Sequence, residues 1–282
     1  MSSIAVITDT DSSLPPHIAR KFNIEQVPIT LHIDGKSYSA GVNFDDRAMF
    51  EAIKASGEYP TTAAPAPDAF VQAYQKALEN GADSILCICV SSEVSATYNA
   101  AVMAADMVEA DIHVVDSLEL SLAQGFMALE AAEAIRAGAT LHDALELIAS
   151  LKGKIHTFAV LPSLEFVAMS GRLGKLPASI ADTFNIKPIL SVQDGKLEVV
   201  NRQRTLKKAT ELMLSMHAEA VDGSGVKRQA FIHSDYREGA EALARRVAED
   251  FKPEEPIFFA EFTPGLSVHT GPGVVGIATL EK

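Results

Sequence analysis

His269 and Thr270 stand side by side in "SVHTGPGVVG" (Ser267–Gly276), just before Gly271, Gly273 and Gly276. An imidazole beside a hydroxyl can hydrogen-bond an anion or act as a general base, and the glycines permit close backbone approach. The same glycines match the spacing G-x-G-x-x-G, which holds a pyrophosphate only where a helix and a strand follow. The six residues "IATLEK" that follow in this sequence are too short for that crossover, so the fingerprint fails on context. Ser95, in "VSSEVSATYNAA", precedes an alanine-rich run that reads as helix. Its hydroxyl either caps that helix or helps to hold an anion where free N–H groups and the helix dipole favour negative charge. Thr61 and Thr62 add hydroxyls in "YPTTAAPAPDAF" (Tyr59–Phe70), a loop stiffened by Pro65 and Pro67. P-loop spacing, H-E-x-x-H and the G-x-S-x-G elbow are all missing.

These groups need a scaffold. "IAVITDT" (Ile4–Thr10), "SILCICVSS" (Ser84–Ser92) and "DIHVVDS" (Asp111–Ser117) are apolar without alternation, as expected of strands covered on both faces. Helical runs follow: Ser95–Ala110, Ser121–Gly138, and Thr140–Lys154 capped by Thr140. The alternation predicts a parallel, Rossmann-like α/β sheet. All three strands end in hydroxyls or carboxylates (Asp9, Asp11, Ser12, Ser13; Ser91, Ser92; Asp116, Ser117), where ligands of open parallel sheets bind. The second half mixes signals. "IHTFAVLP" reads as strand, as does Phe184–Thr205, which Asp194-Gly195 folds into a hairpin. Leu206–Val221 and Gly239–Phe251 read as helices; "RQAFIHSD", "PIFFAEFT" and "GVVGIATLE" read as strands. The expectation is an α/β chain of two domains, residues 1–154 with a parallel sheet and 155–282 with a mixed sheet.

The 282 residues are 48% hydrophobic and 22% charged, enough to bury a sizeable core. A net charge of −13 argues against a nucleic-acid surface and against recruitment to anionic lipid. With no spanning apolar run and no basic-then-apolar leader, a cytoplasmic protein without stable membrane insertion is expected. Six basic side chains (Arg172, Lys175, Arg202, Arg204, Lys207 and Lys208) share one half of the chain and read equally as a local patch or a solvated face. Cys87 and Cys89 alternate along one strand, so their thiols share a face and a disulfide between them is disfavoured. No metal-ligand pattern is evident.

Taken in order, "VITDTDSSL", "TTAAPAPDAF", "VSSEVSATYNAA", "HVVDS", "MSGRLGK", "NIKPIL", "VNRQRT" and "HTGPGVVG" resemble the DegV family of bacterial fatty-acid-binding proteins over essentially the whole chain. The resemblance implies two α/β domains with a long-chain fatty acid, such as hexadecanoate, between them. It implies no cofactor, no metal and no catalysis by this chain itself. It also implies, for some members, service to a separate ATP-binding fatty acid kinase subunit that phosphorylates the carboxylate. By the same resemblance Thr62, Ser95 and His269 grip the carboxylate, and Arg172, Arg204 and Thr270 belong near the head group or a partner surface. Ala64-Pro65 stands at the family's glutamine-proline pair. Ala63, Ala96 and Ser170 depart from the family pattern, and the Ala96 methyl lies beside Ser95. Candidate channel residues are Phe158, Val160, Leu161, Leu164, Phe166, Ile189 and Leu190, for which ordinary core is the stronger reading. Two other readings stay open on the residues: ester hydrolysis with Ser95 as nucleophile and His269 as base, and a small-carbonyl site like that of the dihydroxyacetone kinase substrate subunit.

Overall fold

The computed structural model describes residues 3–172, 186–221, 223–248 and 250–282; Lys175, Phe184 and the last part of "MSGRLGK" lie outside them. β1 (Ile4–Asp9) enters a single turn of helix at Thr10–Ser12, followed by α1 (Pro16–Lys21) and β2 (Ile24–Val27). β6 (Ser84–Cys89) and β7 (Asp111–Asp116) complete a parallel sheet of order β2-β1-β6-β7. Every residue of β6 is buried, as a non-alternating run requires. The two thiols on it lie 3.7 Å apart and unbonded.

Between β2 and β6 the chain builds a layer that the hydrophobic pattern does not reveal. β3 (Thr30–Ile33), β4 (Lys36–Ser39) and β5 (Thr61–Ala63) form an antiparallel sheet of order β4-β3-β5. The threonines expected in a loop are therefore on a strand, with Thr62 paired to Leu31. α2 (Asp46–Ser56) and α3 (Pro67–Glu79) flank β5 in sequence. α4 (Thr97–Ala105) links β6 to β7, and α5 (Leu122–Arg136) and α6 (Leu141–Ser150) follow. Thr140 caps α6 through a capping box with Asp143.

β8 (Ile155–Val160) begins a second sheet. α7 (Glu165–Ser170) comes next, then the hairpin β9 (Lys187–Gln193) and β10 (Lys196–Gln203), which turns at Asp194-Gly195. α8 (Leu206–Ala220), β11 (Val226–His233), α9 (Arg237–Val247), β12 (Phe258–Glu261), α10 (Pro264–Thr270) and β13 (Val275–Glu281) complete it. The order β10-β9-β8-β13-β11-β12 combines antiparallel pairs with a parallel β11–β12 pair. The fold is thus α/β, with a parallel four-stranded sheet from the first half and a mixed six-stranded one from the second.

α5 joins them. Eleven consecutive residues, Leu122–Ala132, are buried, the signature of a helix with no solvent face. It packs on β1 and β6 on one side and on β8, β11 and β13 on the other. One apolar cluster consequently runs from Val6 and Leu86 through Phe126 to Ala159, Ile232 and Ala278.

Candidate functional site

A cavity of about 290 Å³ opens where the two sheets face each other, near the lower end of the ~300–1,000 Å³ typical of small-molecule sites. Ile29, Val90, Val94 and Leu120 supply its first-half wall; Ala159, Leu161, Leu190, Val192, Ile232 and Phe262 supply the second. Side-chain alternation along β8 decides which residues reach it. Ala159 and its partner Leu190 face the central cluster and the cavity, whereas Phe158, Val160 and Ile189 face the opposite cluster with Ala209 and Met213 of α8. Of the seven expected channel residues, only Leu161 and Leu190 line the cavity. Leu164 belongs to the central core, and Phe166 stacks edge-on with Phe50 and Tyr59.

One polar pair in the lining joins the two halves of the chain. Thr62 of β5 and His269 of α10 come from chain positions 207 apart, yet Thr62 Oγ1 lies 3.0 Å from His269 Nε2. Both line the cavity together with Ser95, Ala96, Arg172 and Thr270. Burial pushes the His269 imidazole down to about 4, helped by the nearby Arg172 guanidinium, so it is neutral at neutral pH. Ser95 sits one residue outside the position expected of a cap: its Oγ accepts from Thr97 N–H at 3.3 Å and lies 2.8 Å from Thr97 Oγ1. It therefore satisfies the first turn of α4 and faces the cavity at once. The hydroxyl of Thr270 donates back to Leu266 C=O at 3.5 Å, within its own helix.

α10 is held in place by Asp46, the first residue of α2. The Asp46 carboxyl is buried and accepts hydrogen bonds from Ser267 and Ser234. Burial raises its pKa to about 8. His269 thus stands in the last turn of a helix, α10. Gly271 stops it at φ 79°, under the Phe166 ring, where a Cβ would lie 2.5 Å from ring carbon. Of the glycines after His269, Gly271 closes the helix, Gly276 lies within β13, and none lines the cavity; the glycine that does is Gly265.

Other expectations are redistributed. Arg204 is exposed in the turn between β10 and α8, outside the cavity wall. Ser95 and His269 bond to Thr97 and Thr62, not to each other, so the geometry gives no support to a nucleophile–base pair. Most strand-end polar groups are structural. Asp9 accepts from Val90 N–H, Asp11 N–H and Gln124 Nε2 at 2.8, 2.9 and 3.0 Å. Ser91 donates to Gly195 C=O at 2.7 Å, tying the first half to the tip of the β9–β10 hairpin. Leu120, Ser121 and Leu266 line the cavity without any signal in the sequence that separates them from core. Among the described residues no helix is long and apolar enough to cross a membrane, and no cluster of His, Cys, Asp or Glu could hold a metal ion.

These features define an α/β protein with two facing sheets and a ligand-sized cavity between them, whose mainly aliphatic lining includes the hydrogen-bonded pair Thr62 and His269. The chain belongs to the DegV family, whose model, described as one of uncharacterised proteins, matches residues 3–282. A DegV domain-containing protein of Deinococcus radiodurans is 31% identical over 276 residues, 98% of each chain. The structure of a fatty-acid-binding DegV family protein from Thermus thermophilus matches at a TM-score of 0.93 and 28% identity, covering 99% of this chain and 100% of that one. DegV of Bacillus subtilis, described as a fatty acid binding protein, matches at 0.91 and 27% identity over the whole of both chains.

Proposed function

We propose that this chain binds a long-chain fatty acid between a first domain, 1–154, and a second, 155–282, and holds its carboxylate with Thr62, Ser95 and His269. The observation that carries the reading is one cavity with mainly aliphatic walls from both sheets that, on the side where Thr62 meets His269, presents a hydroxyl hydrogen-bonded to an imidazole, with the Ser95 hydroxyl also in its lining. Each buried methylene contributes roughly 0.8 kcal/mol, so the walls supply affinity. A carboxylate taken from water needs replacement hydrogen bonds; two hydroxyls, the N-terminal end of α4 and His269 provide them. The Thermus and Bacillus relatives, described as fatty acid binders, support the same ligand class. Arg172 places a positive charge in the same lining, and Arg204 belongs to a partner-facing surface. The protein acts as carrier or presenter, without a cofactor and without chemistry of its own, offering the carboxylate to an ATP-binding kinase partner. Denaturing mass spectrometry of the purified protein tests this. A released fatty acid is expected; a small covalent adduct, or no acyl ligand even after incubation with hexadecanoate, would exclude it.

A further inference from the structure

One group in the cavity wall has no place in that account. Asp11 is only 6% exposed and lines the cavity. Its Oδ1 is buried without a hydrogen-bond partner among the described residues. The contrast with Asp9, two residues earlier and satisfied by three donors, is sharp. Asp11 Oδ1 is pressed against α10, where a Cβ on Gly265 would lie 2.4 Å from it. Gly265 precedes His269 by four residues, one turn of about 5.4 Å along the same helix face. The free carboxyl oxygen therefore lies near the side of the cavity where Thr62 meets His269.

A plain acyl chain would cover the Asp11 carboxyl, whose Oδ1 is already enclosed against α10, with methylenes, leaving a buried polar group unsatisfied, which is costly. A hydroxyl on the chain fits: it can donate to an ionised carboxylate and can both donate to and accept from a neutral carboxyl. Burial and the neighbouring Asp9 push the Asp11 carboxyl upward while Arg172 opposes them, and a hydroxyl partner suits either state. Thr157 Oγ1 is another unpartnered wall atom, but a neutral hydroxyl costs less to bury than a carboxyl.

We propose that Asp11 is a specificity-determining residue that selects a fatty acid carrying a hydroxyl close to its carboxylate, such as a β-hydroxy acid. The inference rests on the fatty-acid reading of the cavity. The test uses the full chain, stripped of lipid, with hexadecanoate, β-hydroxyhexadecanoate and ω-hydroxyhexadecanoate. The wild type is expected to bind the β-hydroxy acid roughly tenfold tighter than hexadecanoate, the size of one added buried hydrogen bond. Asp11→Leu should abolish that preference while keeping or improving hexadecanoate affinity; Asp11→Asn, which still hydrogen-bonds, should retain part of it. Equal wild-type affinities for hexadecanoate and its β-hydroxy form, a preference for the ω-hydroxy acid, or a preference that survives Asp11→Leu would each overturn the assignment. The wild-type comparison decides even if Asp11→Leu does not fold. Failure of all three acids to bind would instead remove the fatty-acid reading itself.

Discussion

Ser95 illustrates why single residues are ambiguous. Position alone makes it a helix cap or an anion ligand, and it does the first while lining the cavity where the second could act. His269 is clearer in space than in sequence, because its partner Thr62 is far away along the chain. Its imidazole is held near 4 in the fold against an ordinary 6.5. A histidine so depressed contributes stability that is complete above about 6.5 and lost as the pH falls towards 4, where the unfolded chain takes up the proton first. His269→Ala should therefore flatten the acid side of the pH–stability curve of the ligand-free protein, measured by chemical denaturation between pH 7 and 4. An unchanged slope would mean that the fold does not keep this ring neutral. The same variant should bind fatty acid more weakly by ~1.5–3 kcal/mol, the loss of one hydrogen bond to a charged group. The tail remains buried, so calorimetry should still detect binding.

Elements were legible where hydrophobic pattern is strong. The apolar runs of β1 and β6 and the Asp194-Gly195 hairpin stand out at once; "DIHVVDS" is apolar in the same way, yet β7 is an edge strand and only partly buried, not covered on both faces as expected. β4, with the sequence "KSYS", and the three-residue β5 have no pattern to detect; register with β3 creates them. In "IHTFAVLP" both alternating faces are apolar, so no sequence rule could say that Ala159 and Leu161 face the cavity while Phe158 and Val160 do not. α10 was hidden by its glycine, histidine and threonine content, and its position depends on Asp46. Asp46→Ala leaves the Ser234 and Ser267 hydroxyls without their acceptor and should cost ~1–3 kcal/mol in thermal or chemical unfolding. Asp46→Asn behaves differently with pH. The folded carboxyl, raised from 3.8 to about 8, contributes stability that is complete below 3.8 and lost as pH rises through 8. The amide cannot ionise, so Asp46→Asn should gain on the wild type as the pH rises from 4 to 8 and level off above that. A constant difference across that range would contradict a carboxyl kept protonated by burial.

At the scale of the molecule, α5 makes one body of two sheets. Beyond its apolar faces it carries Glu130, which meets Arg228 of β11 at 2.6 Å and Lys227 at 2.5 Å, while Glu133 also pairs with Arg228. Arg228 and Glu130 have side chains 7% and 3% exposed. Removing one partner of a buried pair strands the other, at a cost of ~3–5 kcal/mol. Arg228→Ala should lower stability by that amount, and unfolding should remain a single transition by fluorescence and circular dichroism because the apolar cluster crosses both halves. Two separated transitions would show that α5 does not couple the sheets.

β13 is the last strand in sequence, yet it lies between β8 and β11 in the middle of its sheet. A growing chain emerging from the ribosome can close the four-stranded sheet as soon as residue 116 is free. The six-stranded sheet must wait, with the edges of β8 and β11 unpaired, until residues 275–281 have been made. Those unpaired edges, beside an apolar wall, are the segments of a nascent chain most exposed to aggregation. A cavity walled by both sheets can therefore take up a ligand only after residues 275–281 have slotted between β8 and β11.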